Sequence, residues 1–184
     1  MSEDKIQYSS KWANNGPAYW SGADTVDKIP AGIYECSVQD GIGPVLVKTA
    51  VTTDALIEFP NSVSIKVVEE IKQFWTLRDK FADYNLTFKR GILLYGPTGS
   101  GKTSVVHLIG NTLVKEYDGI CLLSYNPNLT SRVLQMIRRK EPHRPIALIM
   151  EDFEIQVQHN DEAAFLALLD GELQIDNVVS IATT

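Results

Sequence analysis

Gly96-Pro97-Thr98-Gly99-Ser100-Gly101-Lys102-Thr103 is the stretch on which the reading of this chain turns. It fits G-x-x-x-x-G-K-[ST] at every defined position, follows the apolar run Ile92-Leu93-Leu94-Tyr95, and opens a helical pattern, which is the context the motif requires. Backbone N–H groups that converge on phosphate oxygens need glycines wherever a Cβ would obstruct the loop or the ligand. The helix N-terminus adds partial positive charge. The backbone from Gly96 through Pro97, Thr98, Gly99, Ser100, Gly101, Lys102 and Thr103 to Ser104 is the expected phosphate cradle. Lys102 is placed to reach the β- and γ-phosphates, and the Thr103 hydroxyl to ligate Mg²⁺.

A phosphate loop of this kind works with a carboxylate at the end of a neighbouring buried strand. Ile146-Ala147-Leu148-Ile149-Met150-Glu151-Asp152, some fifty residues on, supplies an apolar strand ending in two acids. Because successive strand residues point to opposite sides, Glu151 and Asp152 are expected to divide the work. Glu151, first after the strand, is assigned to the metal and Asp152 to the attacking water; Glu154 is read as a solvated loop acid.

Downstream of Gly91 the pattern alternates strand and helix, which signals βαβ units and a parallel sheet. The expected strands are 91–96 (buried), 119–125, 145–150 and 177–184, and the expected helices are 102–115, 130–139 and 161–169. Upstream, Val63, Val67, Val68, Ile71, Phe74 and Trp75 recur at helical spacing after Asn61-Ser62. Ile33–Val38 and Pro44–Val47, separated by Asp40-Gly41-Ile42-Gly43, read as a β-hairpin, with the two glycines as its turn. Residues 1–30 show neither periodicity and are expected to be a loosely ordered arm whose aromatics dock on the chain's own core. Residues 31–60 are expected to form a small β-rich element and 61–184 a nucleotide-binding domain.

The chain has 17 Lys and Arg against 23 Asp and Glu, a net charge of −6, which argues against a surface built mainly to grip nucleic-acid phosphates. Its longest apolar run, Ile146 to Met150, is far short of the ~20 residues of a membrane span. With no secretory pattern at the start and two cysteines, Cys36 and Cys121, the expectation is a reducing, cytoplasmic setting without a membrane role.

Taken together, residues 60–184 resemble AAA-family ATPases. The likeness is carried by Lys89-Arg90-Gly91-Ile92-Leu93-Leu94-Tyr95-Gly96 running into the loop, by Ile149-Met150-Glu151-Asp152, and by Leu168-Leu169-Asp170-Gly171 followed by Val178-Val179-Ser180-Ile181-Ala182-Thr183-Thr184. Within the family it is greatest to the branch of the mitochondrial bc1-complex assembly ATPase and its phage and bacterial relatives. Cys121-Leu122-Leu123-Ser124, the stretch around Asn128-Leu129-Thr130, and the order Glu-Asp point there.

The resemblance implies a P-loop NTPase fold, a three-layer αβα parallel sheet in which the strand ending at Thr184 lies between those carrying the loop and the acidic pair. It implies ATP or ADP with Mg²⁺ as ligands, and ATP hydrolysis coupled to remodelling of a macromolecular partner in a homo-oligomeric ring. The alternative function is a nucleotide-dependent loader acting with a nucleic-acid machine and turning over little ATP. The family's sensor asparagine, arginine fingers, fifth strand and helical lid fall beyond Thr184, so this sequence is expected to be the first part of such a domain and nearly inactive alone. The segment between Tyr125 and Pro145 carries no aromatic-hydrophobic-Gly pore loop, so threading is not implied.

Three further groups are read as structural or uninformative. His107 has no partner at ligand spacing. Arg138-Arg139-Lys140 with His143-Arg144 complements a helix C-terminus. Asp83 and Tyr84 match a region that contacts adenine in relatives through backbone.

Overall fold

The computed structural model describes residues 12–15, 17–20, 26–49, 63–170 and 176–184. Its elements are β1 (Ala13–Asn15), β2 (Ala18–Trp20), β3 (Gly32–Gln39), β4 (Gly43–Thr49), α1 (Val63–Trp75), α2 (Arg78–Asp83), β5 (Lys89–Leu94), α3 (Lys102–Tyr117), β6 (Ile120–Leu123), α4 (Pro127–Lys140), β7 (Ile146–Met150), α5 (Phe153–His159), α6 (Glu162–Asp170) and β8 (Val178–Thr183).

Strand β7 shows why the sheet lies inside. Ile146, Leu148 and Met150 enter one hydrophobic cluster and Ala147 and Ile149 the other, all at most 3% exposed. A strand buried on both faces belongs at the centre of a parallel sheet between two helical layers. The cluster on one face takes in Val133, Leu134 and Ile137 of α4 with Phe165 and Leu168 of α6. The other takes in Ile71, Phe74 and Trp75 of α1 with Val105, Val106, Ile109 and Leu113 of α3. The eight strands run in the order β1-β2-β4-β3-β6-β7-β8-β5. The five from β3 to β5 are mutually parallel, and β1, β2 and β4 extend the sheet antiparallel. The expected position of the 177–184 strand, between loop strand and acidic strand, is the observed one.

Four features differ from the sequence expectations. Strand β5, expected to be buried, alternates exposed and half-buried residues, with Leu93 56% exposed, because it ends the described sheet and packs one face only. Two short helices, α2 and α5, stand where no helix was expected. The β3–β4 hairpin is continuous with the main sheet, since Gly32–Glu35 pair in parallel register with Ile120–Leu123. Part of the expected arm is ordered: β1 pairs with β2, β2 with β4, and Trp12 bridges to Val26. These strands are three residues long, too short for periodicity to register, and the partner that ties them to the sheet, β4, lies further along the chain. Trp12 and Tyr19 do dock on the chain's own core. Tyr8, Asn61 and Ser62 lie outside the described residues.

The C-terminal end of α4 anchors that N-terminal segment. Glu141 Oε1 accepts from Trp12 Nε1–H at 2.9 Å and from the Ile29 N–H at 3.0 Å, and its Oε2 accepts from Arg144 Nη1–H at 3.0 Å. Arg144, 4% exposed, also donates to the Ile29 carbonyl at 2.9 Å and to Asp118 at 3.4 Å. Arg138 donates to the carbonyls of Arg144 and Asn177. The basic cluster is therefore used inside the fold.

Candidate functional site

The segment from Tyr95 to Gly101 leaves the carboxyl end of β5 and turns into α3. Gly99 and Gly101 hold φ of +81° and +84°, and an added Cβ at either would meet nothing within 4 Å, so backbone conformation rather than crowding requires glycine. Gly101 is the N-cap of α3 and offers no side-chain cap. The first intrahelical bond runs from the Val105 N–H to the Gly101 carbonyl at 3.0 Å, which leaves the amides of the first turn, Lys102 to Ser104, without an acceptor in the helix. The loop closes on itself through Ser100 N–H to the Pro97 carbonyl at 3.2 Å. Lys102 Nζ donates to the carbonyls of Gly96 at 2.7 Å and Pro97 at 3.2 Å.

Residues 96–104 form one wall of a cleft of about 630 Å³, and Asp152, Glu154, Thr183 and Thr184 complete it. That volume suits a small-molecule ligand of nucleotide size. The cleft lies at the carboxyl ends of parallel strands, where open α/β sheets bind ligands. One wall carries amide hydrogens, a helix N-terminus and an ammonium; the opposite wall carries carboxylates and hydroxyls. The first wall fits phosphate oxygens. Between the two, an ion that prefers oxygen donors would meet the Thr103 hydroxyl and the Asp152 carboxylate. Mg²⁺ keeps several waters and takes one or two carboxylates plus phosphate, so two protein oxygens fit it and no all-protein cage is needed. Among the described residues no cluster of three or more His, Cys, Asp or Glu side chains forms such a cage.

The structure brings together all nine residues of the expected cradle with Asp152, and it separates the acidic pair. Glu151 is not part of the cleft wall. Its carboxylate, with that of Glu35, acts on Tyr125, whose phenol is pushed above its usual range first by burial and then by these two charges. Glu151 Oε1 is buried without a hydrogen-bond partner among the described atoms. The expectation that Glu151 meets the metal rested on its being first after the strand, and the division of work between the two acids on strand alternation. Strand β7 stops at Met150, and Asp152 takes a left-handed conformation, φ 48° and ψ 50°, at the start of α5, so alternation no longer decides which acid faces the cleft. Asp83 and Tyr84 precede β5 and are not in the wall. His107 is half-buried along α3.

Sequence reading missed Thr183 and Glu154 as wall residues. The signal for Thr183 was the terminal position of its strand beside the loop strand; for Glu154 it was the helix start directly after the acidic pair. Thr183 is 3% exposed, and its Oγ1 accepts from the Asp152 N–H at 3.1 Å. Gln156, 8% exposed, donates through Nε2 to the Glu151 carbonyl at 2.7 Å.

Comparison with known proteins adds independent findings. Residues 92–184 match the family described as "ATPase family associated with various cellular activities (AAA)". The chain is similar to a "Probable mitochondrial chaperone BCS1-B" of Dictyostelium discoideum, 29% identical over 100 residues, covering 53% of this chain and 21% of that protein. It is similar to an "AAA ATPase forming ring-shaped complexes" of Bifidobacterium adolescentis, 27% identical over 133 residues, covering 58% of this chain and 26% of the relative. A "Proteasome-associated ATPase" of Acidimicrobium ferrooxidans is 36% identical over 91 residues, covering 46% of this chain and 16% of the relative. The chain thus spans roughly a quarter or less of the length of each of these three relatives.

Proposed function

The chain belongs to the ATPase family associated with various cellular activities, and from that premise we propose that its cleft binds ATP or ADP with Mg²⁺ and hydrolyses ATP. The observation that carries the reading is the loop between β5 and α3 with Asp152 and Thr183 facing it across a cleft of about 630 Å³. In this proposal Lys102 and the amides of residues 99–104 hold the β- and γ-phosphates, and the charge on the transferring group is met where those donors converge. Thr103 and Asp152 would hold Mg²⁺, which when bound neutralises phosphate charge and orients the phosphoryl group.

Calorimetry or a fluorescent nucleotide tests the binding. Replacing the charged donor by Lys102→Ala is expected to weaken ATP binding by about 10- to 100-fold, the value of one charge-assisted contact. Unchanged affinity in that variant, or no binding by the parent chain, overturns the proposal.

We further propose that the whole protein works as a homo-oligomeric ring that remodels a macromolecular partner in a reducing, cytoplasmic setting. The names of the ring-forming and chaperone relatives support the ring and the remodelling, and the setting rests on the sequence pattern alone. Stimulation of turnover by protein substrates is the expected result. Stimulation by DNA or RNA instead would turn the assignment to a nucleic-acid loader.

A further inference from the structure

The acidic turn is held through a single peptide unit. Glu151 and Asp152 share one planar amide whose carbonyl and N–H point in opposite directions. Gln156 Nε2 on α5 donates to that carbonyl at 2.7 Å, and Thr183 Oγ1 at the end of β8 accepts from that N–H at 3.1 Å. The amide of Gln156 is oriented unambiguously, because a carbonyl only accepts. Both side chains are buried; Gln156 Nε2 and Thr183 Oγ1 find their partners on this peptide unit, while Gln156 Oε1 has none among the described atoms.

We propose that Gln156 and Thr183 are positioning residues that lock the Glu151–Asp152 peptide plane and so aim the acidic turn at the phosphate cleft. The plane sets the backbone angles on either side of it, and the Cα atoms that carry the two carboxylates flank it. Asp152 sits at φ 48° and ψ 50°, a region that a non-glycine residue keeps only where its surroundings over-determine it. Here the surroundings come from two different elements, with Gln156 binding the turn twice. Besides its side-chain bond, its own N–H donates to the Asp152 carbonyl at 3.1 Å, next to the Ile155 N–H at 2.9 Å. Thr183 ties the same plane to β8, the strand between the acidic strand and the loop strand. Without either bond the plane is free to rotate, and both carboxylates turn with it.

The consequence for turnover rests on the nucleotide reading above, but the lock itself can be read without nucleotide. Gln156→Leu and Thr183→Val remove one bond each at nearly constant volume, and Thr183→Ser restores the hydroxyl. In the nucleotide-free protein, hydrogen exchange at the Asp152 amide is expected to quicken about 3- to 10-fold in the first two variants and to return to the parent rate in Thr183→Ser. Turnover of ATP should fall about 10- to 100-fold in Gln156→Leu and Thr183→Val, as when an outer-shell partner of a site is lost, with nucleotide Kd within about threefold in Gln156→Leu, whose side chain is not in the cleft wall. Unchanged exchange at Asp152 in both variants overturns the lock. Affinity that falls in step with turnover in Gln156→Leu overturns the positioning role. A parent protein that binds no nucleotide overturns the functional reading instead, and the exchange result still decides the lock.

Discussion

Replacing Glu141 by alanine should destabilise the fold by about 3 kcal/mol, the low end of the ~3–5 kcal/mol found when one partner of a buried ion pair is removed. Three donors lose their acceptor at once: the Trp12 indole N–H, the Ile29 amide and Arg144 Nη1. Trp12 and Ile29 are fully buried, and the Arg144 side chain is 3% exposed. What keeps the loss at the low end is also structural. Asp118 stays 3.4 Å from Arg144 and is 59% exposed, and Glu141 borders a surface dent of about 350 Å³ through which water reaches the orphaned donors. For a chain of 184 residues, about 3 kcal/mol corresponds to a fall in Tm of roughly 6–12 °C.

Urea denaturation followed by tryptophan emission measures it, since Trp12 sits at the contact itself. The companion variant Arg144→Met and the double variant complete a cycle. The double variant should be more stable than the sum of the singles by about 1.5–3 kcal/mol, because it leaves no uncompensated buried charge. A loss under about 1 kcal/mol in Glu141→Ala, or strict additivity in the cycle, refutes the reasoning.

Other outcomes follow from single contacts. Asp152→Asn should keep nucleotide affinity while slowing turnover and shifting its Mg²⁺ dependence, with a smaller effect from Glu151→Gln; a metal titration that moves only in Glu151→Gln reverses the division between the two acids. Asn126→Ala removes the N-cap of α4, where Oδ1 accepts from the Leu129 N–H at 3.0 Å, and should cost about 1 kcal/mol, or roughly 2–4 °C in a melting curve. Burial pushes the thiols of Cys36 and Cys121 from 9.0 to about 12, so both should resist alkylation at pH 8 in the folded chain and react quickly in urea. The unfolded chain gives up these protons first, so stability should fall as pH rises from about 9 towards 12, which a pH series of denaturation midpoints will show.

What was legible in the sequence was local. The glycine spacing of the loop, the strand before it and the helix after it are all decided within twenty residues. The strands that form the sheet's centre announce themselves because burial on both faces forces continuous apolar runs. The rest depends on partners far along the chain. Trp12 is buried because Glu141, 129 residues away, accepts its indole N–H, and no pattern around Trp12 records that. The run Ile92-Leu93-Leu94 of the half-exposed β5 is as apolar as that of a buried strand, and its place in the sheet sets its environment. At the site, Glu151 and Asp152 were found and sorted by their order after the strand, but it is Asp152 that lines the cleft, where a left-handed residue ends the strand's alternation. Gln156 and Thr183 act on main-chain atoms, which every sequence possesses, so Gln156 matches no motif and the run that contains Thr183 does not reveal this contact.

One sheet carries both the N-terminal strands and the phosphate loop, and hydrogen-bonded parallel strands do not slip past one another without breaking their ladders. The molecule is therefore built less like two bodies on a hinge than like a single plank. The edge that carries the phosphate loop and the edge that carries β1 are joined, seven strands apart, by one unbroken series of ladders.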